Sequence, residues 1–279
     1  MLRIAVPNKG SLAETAAQML AEAGYTGRRD PKELIVADPH NEVEFFYLRP
    51  RDIATYVGSG ALDVGITGRD LLLDSRSSAS EVTGLGFAAS TFRFAGPAGQ
   101  FEDIRELQGK RVATSYDGLV GDFLSKRGIQ SALVRLDGAV ESAVRLGVAD
   151  AIADVVETGS TLRKQGLEIF GPAILDSEAV LISAGTDAVG QDTLLRRLEG
   201  VKVARRFVLM DYDLPLRLLE DAVALTPGIE SPTVSPLRDP EWVAVRAMVD
   251  RDSTNLVMDR LYALGARAIL VTSIHAARI

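Results

Sequence analysis

The segment LRIAVPNKGSLAETAAQMLAEAG, residues 2–24, contains a strand, a turn and a helix in direct succession. The apolar run Leu2 to Val6 predicts a strand that stops at the turn Pro7-Asn8-Lys9-Gly10. Ser11 stands three residues before Glu14, which is the spacing of a capping box and predicts that a helix begins there. The final glycine is the residue type that ends helices in a left-handed conformation. A strand followed at once by an amphipathic helix indicates an α/β fold.

This alternation continues and then restarts. Strands are predicted at Val43 to Leu48 and Ala61 to Ile66, around a helix at Arg51 to Val57. The pattern favours a mostly parallel sheet, which binds ligands at the carboxyl ends of its strands. A second set of elements starts near Phe92 and includes a predicted helix that carries Val140, Ala143 and Val144. We therefore expect a first lobe at residues 1–90, to which about 178–205 return, and a second lobe at 91–177.

The remaining residues, 206–279, show a different order. Strand and helix patterns alternate as β-α-β-β-α-β, if one strand lies near Thr233 to Ser235 in a Pro-rich stretch. That order is typical of a ferredoxin-like module. Such modules often bind small regulators.

Composition excludes several classes of protein. The 279 residues are 47% hydrophobic and 25% charged, which rules out a disordered or fibrous chain. A net charge of -7 argues against a nucleic-acid partner or an anionic membrane surface. No apolar run reaches the ~20 residues that a membrane helix needs. The chain starts without a leader pattern, so we expect a cytoplasmic protein.

Side-chain chemistry narrows the candidate reactions. The absence of cysteine removes thiol nucleophiles, disulfides and thiolate metal sites. The two histidines, His40 and His275, have no metal-ligand spacing and are interpreted as surface residues.

The segment AIADVVETGST, residues 151–161, carries the clearest chemical pattern. An apolar strand leads through Asp154 and Glu157 into Thr158-Gly159-Ser160-Thr161 at a predicted helix start. Backbone N–H groups at such a start attract phosphate, glycine permits close approach, and the hydroxyls add donors. The carboxylates can accept hydrogen bonds from ribose hydroxyls or approach a hydrated Mg²⁺. The segment predicts a ribose-phosphate pocket, although an ordinary capped helix has the same pattern.

Further polar residues follow other predicted strands. Lys9, beside Gly10 and Ser11, can neutralise a pyrophosphate or be a solvated loop lysine, and Arg49 is similar. Asp70 can be a surface acid and Tyr116 a packing residue. Glu141 can be a first-turn acid favoured by the helix dipole. These residues are candidates for a site whose alternatives stay open.

Several motifs in matching order resemble the ATP phosphoribosyltransferase family, which opens histidine biosynthesis. They are PNKGSL (7–12), FYLRPRDI (46–53), LDVGITG (62–68), LDG (136–138), AIADVVETGST (151–161), TPG (226–228) and SPT (231–233). The similarity covers essentially the whole chain, so the chain resembles the long form of the family. The chain departs from the family pattern at Tyr116-Asp117-Gly118, where the pattern is Tyr-Pro-Asn.

The resemblance implies two catalytic lobes arranged like a periplasmic binding protein, with a ferredoxin-like regulatory domain. ATP and 5-phosphoribosyl 1-pyrophosphate (PRPP) would meet in the cleft, where N1 of adenine attacks C1 of ribose and pyrophosphate leaves. Mg²⁺ would be held mostly by substrate phosphates, with Asp154 as one candidate ligand. The residues implied for catalysis are Lys9, Arg49 and Glu141, those for PRPP are Asp154 and 157–161, and those for ATP or PRPP are Gly10, Ser11, Asp70 and Tyr116.

The resemblance also implies regulation and assembly. Histidine would bind the last module through Asp213, Ile229, Thr233 and Ala268 and inhibit the enzyme. The chain would form a homo-oligomer, a dimer when active and a hexamer when inhibited. The alternative function is a bilobal binding protein without catalysis. An enzyme of the porphobilinogen deaminase type is excluded, because that type anchors its cofactor on a cysteine.

Overall fold

The computed structural model describes residues 1–156, 159–185 and 188–278. Contacts divide the chain into two compact units, Met1–Ala21 with Tyr25–Gln191 and Glu22–Gly24 with Asp192–Ile279. Over the described ranges, no helix combines the length and apolar character that crossing a membrane requires.

The helices and strands follow one another in three groups. The first lobe contains β1 (Leu2–Pro7), α1 (Ser11–Glu22), β2 (Ile35–Asp38), β3 (Val43–Leu48), α2 (Pro50–Gly58), β4 (Val64–Gly68), α3 (Arg69–Ser75) and β5 (Ser80–Gly84). The second lobe contains β6 (Ser90–Pro97), β7 (Arg111–Thr114), α4 (Asp117–Ser125), β8 (Ala132–Arg135), β9 (Ala151–Val156), α5 (Ser160–Lys164) and β10 (Leu167–Ser177). The rest contains β11 (Ala179–Ser183), α6 (Gln191–Arg206), β12 (Phe207–Pro215), α7 (Leu219–Leu225), β13 (Thr233–Pro236), β14 (Trp242–Asp250), α8 (Thr254–Leu264) and β15 (Arg267–Ser273).

Two mixed sheets form the lobes. Their strand orders are β2-β3-β1-β4-β11-β5 and β10-β6-β9-β7-β8. Parallel pairing is confined to the β3-β1-β4 and β9-β7-β8 runs. The expectation of mostly parallel sheets was therefore wrong, because the strands that lead out of each lobe and back run antiparallel to their neighbours. The expected α/β class with two lobes is confirmed.

The chain crosses between the two sheets twice. The first crossing is residues 85–89, between β5 and β6, and the second is Glu178, between β10 and β11. Each lobe has its own core: Ile53, Val57 and Ile182 are fully buried in the first, and Phe94 and Val120 in the second. Two short segments therefore join two sheets that have separate cores.

Helix α6 differs from the expected course of the chain. The sequence placed residues 178–205 with the first lobe, and β11 does pair with β4 there. Residues from Asp192 onward, however, belong to the second compact unit. A close approach within that unit accounts for this: Gly200 of α6 lacks the Cβ that would collide with the carbonyl oxygen of Ala277.

The helix expected to carry Val140, Ala143 and Val144 is also corrected. The structure has a single 3-10 turn at Val140–Ser142, followed by further turns. Ala139 takes a left-handed conformation, with φ of 49°, and Gly147 does so at the other end. The buried apolar side chains therefore pack inward from turns.

The last sheet has the expected ferredoxin-like topology. Its strand order is β13-β14-β12-β15, and every pair is antiparallel. Alternate residues of β12, including Met210 and Tyr212, are buried, as a sheet with one covered face requires. The buried Tyr212 hydroxyl is 2.7 Å from the hydroxyl of Thr226, which satisfies the polar end of the ring.

Candidate active site

The candidate site begins where parallel strands end. β1 and β4 are parallel in the first lobe, and β7 and β9 are parallel in the second. Carboxyl ends of parallel neighbours lie at one sheet edge, where α/β proteins bind ligands. Asp70 follows β4, Tyr116 follows β7, and Asp154 lies near the end of β9. Strand topology therefore gathers three of the predicted residues at ligand-binding edges.

The 151–161 segment lines a cavity of about 390 Å³ in the second lobe. Its walls are formed by Glu141, Asp154–Val156 and Gly159–Leu162. Gly159 is buried with φ of 67°, a conformation that glycine adopts at no steric cost, and precedes the first residue of α5. Ser160 and Thr161 are exposed, so their hydroxyls are accessible to a ligand. Glu157 and Thr158, also predicted to bind PRPP, lie outside the described residues.

Asp154 lines this cavity, and its surroundings shift the pKa of its carboxyl group. Burial raises the pKa of its carboxyl group, and the nearby charges of Glu141 and Asp70 raise that pKa further. A hydrogen bond from the Val155 N–H to Asp154 Oδ1, 2.8 Å long, works in the opposite direction. Asp70 and Glu141 are thus close enough to Asp154 for their negative charges to repel its own. A cationic ligand there would reduce this repulsion.

Asp70 is a buried residue of the first lobe, not a surface acid. It is 8% exposed, and the Ser177 hydroxyl donates to its Oδ1 at 2.8 Å. The Asp70 N–H in turn donates to Ser177 Oγ at 3.1 Å. The carboxylate folds against Gly68, where any Cβ would collide with it. Ser177 ends β10, just before the second crossing, so Asp70 is fixed to the segment that joins the lobes.

Tyr116 combines a packing role with a place near the carboxylates. Its ring makes an edge contact with Phe92, at a centroid distance of 4.9 Å, and the Arg51 guanidinium lies 4.8 Å from its centroid. Burial, followed by the charge of Asp70, raises the pKa of the phenol well above its usual value, and Arg51 partly opposes this. The hydroxyl therefore stays protonated and can donate a hydrogen bond.

A second cavity, of about 590 Å³, adjoins the first. Val156 lines both. The second cavity lies against the two crossing segments, and its polar lining includes Arg69, Ser90, Thr91 and Glu178. Arg69 is paired with Glu81 at 2.7 Å and Glu178 at 3.1 Å, so its charge is already balanced. The two cavities together have room for a ligand larger than one ribose phosphate.

The cationic candidates lie on the first lobe outside these cavities. Lys9 and Arg49 are both exposed, and they are near each other because β1 and β3 pair in parallel up to Pro7 and Leu48. Gly10, with φ of 81°, and Ser11 complete the turn after β1 and are exposed as well. Neither cavity is lined by any of these four residues.

Arg28 lies near this turn, and sequence reasoning missed it. Its guanidinium lies 4.3 Å from the Tyr47 ring centroid and donates to the Asn8 carbonyl at 3.0 Å. It thereby fixes the backbone next to Lys9. No local motif marks Arg28 or Ser177, because each acts on a residue distant in the sequence.

No preformed metal site stands out in the part of the chain that the structure describes. Within it, no group of three or more His, Asp or Glu side chains is placed to hold a metal ion. The site offers carboxylate oxygens, the donors that Mg²⁺ prefers, from Asp154 and Glu141.

The residues predicted to bind histidine fall into two places. Ile229 and Thr233 line a cavity of about 400 Å³ together with Arg246 and Met248. Asp213 and Ala268 do not line it. Asp213 lies on β12, where it pairs with Arg267 of β15, and β15 is at the opposite edge of the sheet from β13. Ala268, with φ of 51°, sits at an irregularity where β15 has one residue more than β12 between paired positions.

Comparisons with known proteins agree with this architecture. The family model HisG, described as ATP phosphoribosyltransferase, matches residues 49–200, and the model for the HisG C-terminal domain matches residues 204–276. The ATP phosphoribosyltransferase of Pseudarthrobacter chlorophenolicus is 67% identical over 284 residues, and that of Streptomyces avermitilis is 61% identical over 285, each with full coverage of both chains. A solved ATP phosphoribosyl transferase (HisG:HisZ) complex from Thermotoga maritima has a TM-score of 0.64 and 28% identity, and covers 72% of this chain and 98% of its own. The chain belongs to the ATP phosphoribosyltransferase family.

Proposed function

We propose that this chain transfers the phosphoribosyl group of PRPP to N1 of ATP, the first step of histidine biosynthesis. The observation that carries the proposal is the cavity in which Asp154 and Glu141 face the Gly159–Thr161 turn. Membership of the ATP phosphoribosyltransferase family supports this reaction, and the size and polar lining of the cavity support ribose and phosphate as its ligands.

The reaction breaks one bond and forms another at the same carbon. The bond between ribose C1 and the pyrophosphate oxygen breaks, and its electron pair leaves with pyrophosphate. The lone pair of adenine N1 forms the new C1–N bond, giving phosphoribosyl-ATP. Because N1 is unprotonated near neutral pH, no general base is required. The protein's task is to align the substrates and stabilise the charges that develop.

The carboxylates suit the positive charge that develops on ribose. Burial and the charges of Glu141 and Asp70 disfavour the ionised form of Asp154, and a cationic ribose beside it would stabilise that form. The protonated Tyr116 hydroxyl is a hydrogen-bond donor beside Asp70. The Asp154 and Glu141 oxygens would hold a Mg²⁺ ion bound with the pyrophosphate, and the ion would supply positive charge to the leaving group. Chelation by EDTA is expected to abolish turnover.

The overall proposal is tested by ultraviolet difference absorbance. Substitution at adenine N1 alters the chromophore, so mixing the protein with ATP, PRPP and Mg²⁺ should give an absorbance change that depends on all three. A binding protein without catalysis would give none, and that result would reject the proposed function.

The PRPP assignment predicts a selective defect. Thr161→Ala removes an exposed hydroxyl at the cavity and should raise the KM for PRPP by about fivefold, since one such hydrogen bond is worth roughly 1 kcal/mol. The KM for ATP should change little. Thr55→Ala, at an exposed position of α2, is the matched control. An unchanged KM for PRPP in the Thr161 variant would remove this residue from the site.

Lys9 and Arg49 are proposed to offset the growing charge of pyrophosphate. Alanine at either position should therefore lower kcat, because the activation free energy would rise by about 2–4 kcal/mol. Lys126→Ala removes an exposed charge from the second lobe and serves as control. If both variants turn over like the wild type, the two cations do not act in the reaction.

Regulation, assembly and location stay predictions. We propose histidine as an inhibitor bound by the C-terminal module, a homo-oligomeric state and a cytoplasmic location. Sedimentation velocity should find species larger than the 29.9 kDa chain, and a monomer under assay conditions would contradict the oligomer.

A further inference from the structure

A contact between α3 and α4 joins the two lobes beside the cleft. Asp74 lies in α3 of the first lobe, and the turn Tyr116-Asp117-Gly118 begins α4 of the second. Tyr116, the residue before the helix, approaches the carboxylates of the candidate site. The geometry of this contact therefore bears on where one site residue lies.

Both carboxylate oxygens of Asp74 are engaged. Oδ2 is 2.6 Å from Nη1 of Arg51 in the same lobe, and Oδ1 accepts the N–H of Leu119 in the other lobe at 3.1 Å. The Asp74 side chain is only 7% exposed, so solvent screens these interactions weakly. One buried carboxylate thus joins a first-lobe cation to the first turn of a second-lobe helix.

Arg51 extends this link to the ring of Tyr116. Its guanidinium pairs with Asp74 and also lies over the Tyr116 ring, 4.8 Å from the centroid. The ring contacts Phe92 as well, and the Tyr116 N–H donates to Thr114 Oγ1 at 3.0 Å. The ring is therefore constrained by residues from both lobes.

Gly118 lets the two helices approach this closely. A Cβ at this position would collide with the backbone carbonyl oxygen of Asp74. The turn departs here from the Tyr-Pro-Asn pattern of the resemblance, and any side chain larger than hydrogen would push α4 away from α3. Gly118 and the hydrogen bond from Leu119 to Asp74 therefore depend on the same close approach of α3 and α4.

We propose that Asp74 is a positioning residue for the transfer reaction. Through Arg51 and the first turn of α4, it holds Tyr116 against Asp70 and Asp154. This inference rests on the proposed function. Misplacing groups that act on the reacting carbon costs more in the transition state than in substrate binding, so kcat should fall while the KM values change little.

A second ion pair across the same helices provides a matched control. Arg76 Nη2 is 2.5 Å from Asp122 Oδ1, but the side chains are 58% and 49% exposed. Such an exposed pair contributes little, and Arg76 Nη2 also donates to the Gly118 carbonyl at 3.1 Å. Asp122→Asn therefore removes an interlobe charge but keeps an oxygen that can accept from Arg76, and both partners of Asp74 stay in place.

The experiment compares Asp74→Asn, Asp74→Ala and Asp122→Asn with the wild type. Asparagine keeps an oxygen that can accept from Leu119 N–H but loses the charge that pairs with Arg51, whereas alanine loses both. We expect kcat to fall about 5- to 10-fold in Asp74→Asn and more in Asp74→Ala, with both KM values within about threefold. Asp122→Asn should stay within about twofold.

Hydrogen exchange of the amides around Leu119 gives a readout independent of turnover. Exchange should accelerate in Asp74→Ala, change little in Asp74→Asn and be unchanged in Asp122→Asn. An Asp74→Asn variant with wild-type kcat, or an equal loss in Asp122→Asn, would overturn the positioning role. A wild-type protein without the absorbance change would instead reject the proposed function, and the positioning role would fall with it.

Discussion

Asp154 shows at the scale of a single residue how a functional group can oppose folding. Its carboxyl is half-buried and lies near Glu141 and Asp70, and burial is the first cause of its raised pKa. A folded-state pKa above the unfolded value means that the native state prefers the protonated acid. At neutral pH the group is ionised, so it destabilises the native state. Sites that retain such a group sacrifice stability for function.

Asp154→Asn should therefore stabilise the protein at neutral pH while it lowers turnover. Asparagine removes the charge and keeps an oxygen that can accept the Val155 N–H. We expect a gain of about 0.5–2 kcal/mol in the free energy of unfolding, the range of single stabilising substitutions.

The pH dependence of this gain in stability tests whether the ionisation of Asp154 causes it. The cost of ionisation is absent below the unfolded pKa of Asp, grows as the pH rises towards the folded pKa, and is complete above it. The advantage of Asp154→Asn should thus vanish near pH 3.5 and be largest at neutral pH in thermal unfolding. The Asp137 side chain is 92% exposed, so Asp137→Asn should change neither the stability at neutral pH nor its pH dependence. A destabilised Asp154→Asn at neutral pH would contradict the account.

At the scale of elements, α4 carries two glycines with opposite roles. Gly118 faces the Asp74 carbonyl, where a Cβ would collide with backbone that cannot move independently. Gly121, three residues later, would place a Cβ 3.4 Å from Leu133 Cδ1, an ordinary contact. The first glycine is required by helix packing, whereas the second only weakens the helix through its backbone entropy.

The two alanine variants should therefore change stability in opposite directions. Gly118→Ala should destabilise by about 1–3 kcal/mol, as overpacking does, and Gly121→Ala should stabilise by up to about 1 kcal/mol. Urea unfolding followed by circular dichroism measures both. Equal effects of the two substitutions would show that the α3–α4 contact does not limit the residue at 118.

At the scale of the whole molecule, the chain combines a two-lobed unit with a second unit that ends in a ferredoxin-like sheet. Two of the predicted histidine residues lie on the two opposite edge strands of that sheet. Thr233 lies on β13 and lines the cavity of about 400 Å³, whereas Ala268 lies on β15 outside it. A ligand that contacts both places needs more than this one cavity, and a second copy of the chain could supply the rest.

Histidine inhibition should respond to substitutions in both places. Thr233→Val removes a hydroxyl, Ala268→Leu adds bulk, and each should raise the half-inhibitory histidine concentration at least about fivefold, with kcat unchanged. Steady-state assays with a histidine titration measure this. If only Thr233→Val relieves inhibition, the single-chain cavity is the site; if neither does, histidine does not act through these residues.

Several elements and part of the site could be predicted from the sequence. Strand and helix patterns are local, so β3 has the predicted bounds, and α1 begins at the predicted Ser11. The β-α-β-β-α-β order of the predicted elements also predicted the ferredoxin-like topology of the last sheet. The motif at 151–161 is contiguous, and for that reason its described residues could be assigned to one pocket without a structure.

Only the tertiary structure decided which distant residues meet and how deeply they are buried. Asp70 bonds to Ser177, 107 residues away, and Asp74 accepts from Leu119 in the other lobe. The same holds for α6, which belongs to the second unit from Asp192 onward and approaches Ala277 closely at Gly200. Close approach and desolvation depend on which surfaces pack together, and no pattern of neighbouring residues encodes that. The raised pKa of Asp154 and the requirement for glycine at 118 are consequences of packing alone.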